Sequence, residues 1–159
     1  MATYERSARV AAPLAAVWEF HSTERGLVEL TPDWMQLRVE SVRGPDGDPD
    51  PDVLETGSTL SVSVRPFGVA PRQSWVSEIV AREQDGTSAY FRDVMSEGPF
   101  EHWEHTHSFF ADGAETVVRD SISYQFPLGR VGDAAGPLAV VGFEPMFRYR
   151  HRRTKQLLE

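Results

Sequence analysis

Between Gly98 and Pro127 the chain alternates so regularly that a β-hairpin with one apolar and one wet face is the structure it fits. With the turn at Ala111-Asp112-Gly113-Ala114 and Phe110 opposite Glu115, the expected register pairs Phe109 with Thr116 and His107 with Val118. The same register pairs His105 with Asp120 and Trp103 with Ile122. One face then carries Trp103, His105, His107, Phe109, Val118, Asp120, Ile122, Tyr124 and Phe126. The other carries His102, Glu104, Thr106, Ser108, Arg119, Ser121, Ser123 and Gln125, a solvated surface. Ionisable groups thus fall among aromatics on the buried side, where an unpaired charge is costly, so they must pair with each other or with something bound. A polar-lined pocket wall is the arrangement this implies.

The rest of the chain supplies partners for the hairpin. Thr3 to Ala11 alternates as a first strand, and Pro13 opens a short helix carrying Leu14, Val17, Trp18 and His21 at helical spacing. Ser22-Thr23-Glu24-Arg25 reads as the N-cap of a second short helix with Leu27, Val28 and Leu30, which Thr31-Pro32 stops. Strand signals follow at Met35 to Val42, Thr59 to Arg65, Gln73 to Arg82 and Ser88 to Met95. The proline- and aspartate-rich stretch Gly44 to Asp52 is an exposed loop; it lacks the closing glutamate of a calcium loop. With the turn Glu97-Gly98-Pro99 pairing Met95 and Trp103, Asp93 falls opposite His105 and Phe91 opposite His107. A ladder Asp93, His105, Asp120 is expected across three strands. After a loose link beyond Gly129, a terminal helix is expected from Pro137 to Leu158. Leu138, Val141, Met146, Tyr149, Leu157 and Leu158 form its apolar stripe, and Pro145 should kink or divide it.

At 159 residues the chain fits a single domain, residues 1–159. No cysteine is present, which excludes thiolate metal sites, disulfides and cysteine nucleophiles. The net charge of −8 disfavours nucleic acid as a partner. No leader and no apolar run near the roughly 20 residues of a membrane span are visible, so a cytoplasmic location is expected. Lys155 is the only lysine and asparagine is absent, a bias with two readings, GC-rich coding or adaptation to high salt. Monomer and homodimer stay equally open.

The order of strand, two short helices, a meander and a long closing helix resembles the helix-grip fold of the SRPBCC or START-like superfamily, which includes birch-pollen-allergen-like proteins and polyketide cyclases. Ala12-Pro13 with Val17-Trp18 and Phe20-His21 is similar to the family's first helix, and Phe147-Arg148-Tyr149-Arg150 to its last. Phe91-Arg92-Asp93, Gly98-Pro99-Phe100, Trp103, His105, His107 and Phe109, extended by Asp120, Tyr124 and Pro127-Leu128-Gly129, resemble a ligand-binding SRPBCC subgroup. The resemblance implies an α+β architecture, a curved antiparallel sheet of six to seven strands wrapped around the long C-terminal helix. It also implies a deep cavity between sheet and helix.

The expected function is binding, with transport as its extension, of a small, mostly apolar ligand such as a lipid or polyketide-like molecule. The expected lining is Phe91, Asp93, Trp103, His105, His107, Phe109, Asp120, Ile122 and Tyr124, with Leu60, Val62 and Val64 from a neighbouring strand. One alternative is a cyclase or dehydratase using His105 with Asp93 or Asp120 as base. Another is a module docking to a partner or membrane through Arg148, Arg150, Arg152, Arg153 and Lys155. His105-Thr106-His107 has the spacing of cupin metal pairs, and Asp93 or Asp120 would complete a two-histidine, one-carboxylate set. Ala111 and Asp112 stand where a cupin glutamate would be, so neither metal nor cofactor is expected. No phosphate loop, serine elbow or dinucleotide fingerprint occurs.

Overall fold

The computed structural model describes residues 1–69 and 71–159. Seven strands form one antiparallel sheet: β1 (Ala2–Val10), β2 (Arg38–Arg43), β3 (Thr59–Val64), β4 (Gln73–Gln84), β5 (Ser88–Ser96), β6 (His102–Asp112) and β7 (Glu115–Gln125). Their order is β1-β7-β6-β5-β4-β3-β2, a meander from β2 to β7 with β1 added beside the last strand. Two short helices, α1 (Leu14–His21) and α2 (Glu24–Glu29), follow β1; α3 (Arg130–Ala135) and the 19-residue α4 (Val140–Leu158) follow β7. Among the described residues, no helix is long and apolar enough to cross a membrane.

Local chemistry sets these boundaries. Pro13, extended at φ −68°, precedes α1, and the Ser22 hydroxyl donates to the Trp18 carbonyl at 2.7 Å where that helix ends. Thr23 caps α2 by accepting from Gly26 N–H at 3.2 Å. Position 26 must be glycine for a second reason: a Cβ there would stand 2.4 Å from the Phe20 carbonyl oxygen. At the other end of the chain, Tyr4 and Arg6 of β1 both bond Glu144, which fastens α4 across the sheet edge.

Four local expectations are corrected. The β6–β7 turn is the two-residue loop Gly113-Ala114, with Asp112 opposite Glu115 and Gly113 at φ 62°. Every cross-strand partner therefore moves by two residues: His107 faces Asp120, His105 faces Ile122, Phe109 faces Val118 and Trp103 faces Tyr124. A shift of two keeps each side chain on its own face, so the greasy and wet surfaces stand as read. The β5–β6 register has Asp93 opposite His105 and Phe91 opposite His107. Second, β2 starts only at Arg38, because Asp33–Met35 makes a 3-10 turn and Gln36 turns left-handed at φ 50°. Third, the segment after Gly129 is α3 and a 3-10 turn, Gly136–Ala139, rather than a loose link. Fourth, the buried face of α4 is Phe143, Phe147, His151 and Thr154, at spacings of four, four and three. Leu138 and Val141 are 69% and 78% exposed, and Pro145 lies inside α4 without dividing it.

Two apolar clusters fill the concave side of the sheet. One gathers Val10, Val17, Trp18, Phe91, Phe109 and Val118 beneath α1; the other gathers Tyr4, Ile122, Tyr124, Phe143 and Phe147 beneath α4. On β6 the histidines sit between Phe109 of the first and Trp103, which packs on the second; on β7, Asp120 sits between Val118 and Ile122. The polar groups occupy the seam where the clusters meet.

Candidate functional site

At that seam two carboxylates flank two neighbouring imidazoles whose planes are tilted by 31°. His105 and His107, two residues apart on one face of β6, have ring centroids 3.6 Å apart. Each ring spans the gap between Asp93 on β5 and Asp120 on β7, but in opposite senses. His105 Nε2 donates to Asp120 Oδ1 at 2.8 Å while its Nδ1 lies 4.0 Å from Asp93 Oδ2. His107 Nε2 donates to Asp93 Oδ2 at 2.9 Å while its Nδ1 lies 3.3 Å from Asp120 Oδ1, off the line of a hydrogen bond. The expected ladder of Asp93, His105 and Asp120 is thus a crossed pair of bridges, with His107 an equal member. His151 on α4 completes it, donating from Nε2 to Asp120 Oδ2 at 2.6 Å. Ser77 on β4 donates to the other oxygen of Asp93 at 3.3 Å.

The charge state follows from what each group touches. Burial alone raises Asp120, but hydrogen bonds from His105 and His151 and the close approach of His107 hold it well below the ordinary carboxylate range. Asp93 is lowered against the same burial penalty by the His107 bond and by the neighbouring imidazoles. Burial and the adjacent His107 ring push His105 down; His107 is pulled up because the two carboxylates outweigh its burial. Between the two carboxylates the charged form is thus favoured at His107 and disfavoured at His105.

This cluster borders a cavity of about 320 Å³ between sheet, α2 and α4. Of the sequence-predicted lining, Leu60, Val62, Val64, Phe91, Asp93, Trp103, His105 and His107 face it. Phe109, Asp120, Ile122 and Tyr124 do not; each is at most 2% exposed and lies in the packing behind the wall. Tyr124 has spent its hydroxyl on the Gly136 carbonyl at 2.7 Å. Sequence reasoning missed the opposite wall, formed by Phe143, Met146, Phe147 and Arg150 of α4 with Leu27 of α2 and Leu30 at its C-cap. It missed His21, whose Nδ1 donates to the Val17 carbonyl at 2.8 Å, and it missed His151 altogether. His151 was legible only as the residue eight beyond Phe143 on one helical face; the surrounding arginines hide it.

Those arginines do not form a uniform basic face. Arg150 borders the cavity, Arg153 pairs with Glu29 at 3.2 Å, Arg148 pairs with Glu144 at 3.2 Å and Arg152 lies over the Tyr149 ring. Among the described residues, the one group with metal-ligand geometry is Asp93, His105 and His107, whose ligand atoms lie within 4.8 Å of one another.

A family model described as "Polyketide cyclase / dehydrase and lipid transport" matches residues 1–159. No curated protein sequence matches the chain significantly. Among solved structures, norcoclaurine synthase from Thalictrum flavum, a point mutant bound to a transition-state analogue, superposes with a TM-score of 0.70. It is 17% identical, over 99% of this chain and 93% of that one. A protein from Thermus thermophilus gives 0.64 at 18% identity, covering 99% and 100%. A START superfamily protein from Mycobacterium smegmatis gives 0.59 at 14%, covering 98% of each. At these identities the likeness is one of fold: an α+β helix-grip sheet closed by a C-terminal helix.

Proposed function

The chain belongs to the polyketide cyclase/dehydrase and lipid transport family, and from that premise we propose that it binds a small, mostly apolar molecule bearing an oxygen-rich end. One observation carries the reading: a cavity of about 320 Å³ whose walls are mostly hydrocarbon and aromatic, with Asp93, His105 and His107 together forming an ionisable floor. That volume sits at the lower end of the roughly 300–1,000 Å³ typical of small-molecule sites. Leu60, Val62, Val64, Phe91 and Trp103 supply apolar contact from the sheet, and Phe143, Met146 and Phe147 from the helix. The floor and Arg150 select and orient the polar end. Native mass spectrometry of protein purified without refolding tests this. An adduct of small-molecule mass is expected, lost in Trp103→Ala; a wild-type chain that carries none, and that leaves the fluorescence of an apolar aromatic probe unchanged, refutes it.

A second reading rests on the bond from His105 Nε2 to Asp120. It fixes the tautomer that leaves Nδ1 as a lone pair on the cavity side, and burial keeps that ring neutral, both of which suit a general base. The same fold in norcoclaurine synthase holds a transition-state analogue, so the cavity position suits chemistry as well as storage. Cyclase or dehydratase turnover abolished in His105→Gln, with ligand binding retained, distinguishes this reading from carriage.

A further inference from the structure

We propose that the floor of the cavity is a site for one divalent first-row transition ion, held by Asp93 Oδ2, His105 Nδ1 and His107 Nε2. The site goes beyond the ligand-binding reading and does not depend on which molecule occupies the cavity.

Both imidazoles bridge two carboxylates, so each ring offers one nitrogen to Asp93 and the other to Asp120. The nitrogens on the Asp93 side converge with that carboxylate at the cavity: His107 Nε2 is 2.9 Å and His105 Nδ1 is 4.0 Å from Asp93 Oδ2. Ligands about 2.0–2.1 Å from a tetrahedral ion stand about 3.3 Å apart, and these three atoms already lie within 4.8 Å of one another, so side-chain shifts on the order of an ångström bring them into place. An ion there would take the position of the one proton shared between His107 Nε2 and Asp93.

The supporting atoms already have the arrangement a metal site needs. Asp120 lies behind both rings and receives His105 Nε2–H, the carboxylate–histidine pairing that fixes which nitrogen faces an ion. His107 Nδ1, 3.3 Å from the same oxygen and without a hydrogen-bond partner, gains a defined role when Nε2 is a ligand: it carries the proton towards Asp120. His151 holds Asp120 from the helix side, and Ser77 holds Asp93 by Oδ1, leaving Oδ2 to coordinate. Two imidazoles and one carboxylate, with no sulfur, suit zinc, cobalt, nickel or iron(II) and do not suit calcium or magnesium. Asp93, His105 and His107 all border the cavity, so the remaining coordination positions open towards it, where water or an oxygen of a cavity ligand would complete the shell.

Untagged protein, stripped with a chelator and dialysed, is titrated calorimetrically with ZnCl2 and, for its visible absorption, with CoCl2. One ion per chain is expected, with a cobalt spectrum of mixed nitrogen and oxygen ligation. His107→Gln and Asp93→Asn should each weaken binding at least 100-fold, and Asp120→Asn by about 10–100-fold through lost orientation. His102→Gln, on the opposite face of the same strand, should leave it unchanged. Far-UV circular dichroism confirms that each variant is folded, and His105→Gln replaces any that is not. Absence of stoichiometric binding by the wild-type chain overturns the site, as does binding that survives His107→Gln or falls equally in His102→Gln.

Discussion

His151 on α4 donates to Asp120 on β7 at 2.6 Å, so the C-terminal helix is joined to the concave face of the sheet through a buried carboxylate only 2% exposed. Fatty contact alone would let α4 slide or rotate over Phe143 and Phe147; a charged hydrogen bond of fixed length does not. Removing the acceptor strands His105 and His151 together. Asp120→Ala should cost about 3–5 kcal/mol, the range for breaking a buried ionic pair from one side. His151→Leu, which leaves Asp120 its bond from His105, should cost about 1–3 kcal/mol. Urea denaturation at neutral pH measures both, and near-equal losses would contradict the network.

Tyr124→Phe removes only the hydroxyl that donates to the Gly136 carbonyl at 2.7 Å. A buried carbonyl is left without its partner, at a cost of about 1–3 kcal/mol. Hydrogen exchange should quicken across residues 130–139, where α3 and the following 3-10 turn are pinned by that bond. Affinity for a cavity probe should not change, because Tyr124 lies behind the wall; a tenfold loss would return it to the lining.

Phe109 and Trp103 look alike in the sequence, two aromatics on one face of one strand, yet they divide between stability and binding. Phe109 is fully buried against Trp18, Phe91 and His21, and Phe109→Ala should cost about 3–5 kcal/mol. Trp103 is half-buried at the cavity, so Trp103→Ala should lose probe binding by tenfold or more at a smaller cost in stability. Thermal unfolding and probe fluorescence, read on both variants, should give opposite rankings.

What the sequence disclosed follows the same division. Alternation identifies the face of every hairpin residue, because its period is fixed by the pleat, and the two-residue slip at Gly113-Ala114 left that assignment intact. It does not disclose which residues on a face meet a hollow and which meet packing, since Phe109 and Trp103 carry one pattern. The helix was harder. Leu138 and Val141 fit an apolar stripe only if one helical frame runs on from Pro137, and the 3-10 turn at Gly136–Ala139 resets that frame before Val140. His151 was invisible for a related reason: its partner Asp120 lies 31 residues away, and no local spacing joins them.

His21 gives the protein an acid limit. Burial pushes its pKa down to about 3, Arg150 on α4 adds to the effect, and the bond to Val17 and the charge of Asp120 oppose it without prevailing. His107 on β6 also disfavours a charge there. In the unfolded chain the same imidazole titrates near 6.5, so between about 6.5 and 3 the unfolded state binds the extra proton. Stability from this residue is therefore complete above pH 6.5 and is lost as pH falls towards 3, by about 1.4 kcal/mol per unit. From pH 6.5 to 4.5 the wild-type chain should lose about 2–3 kcal/mol through His21 alone. His21→Gln, measured by urea denaturation in chelator at both pH values, should lose less than the wild type by that amount. Parallel losses in the two proteins would mean that His21 is charged in the fold, and that the cavity beside it is wetter than its packing against Phe109 implies.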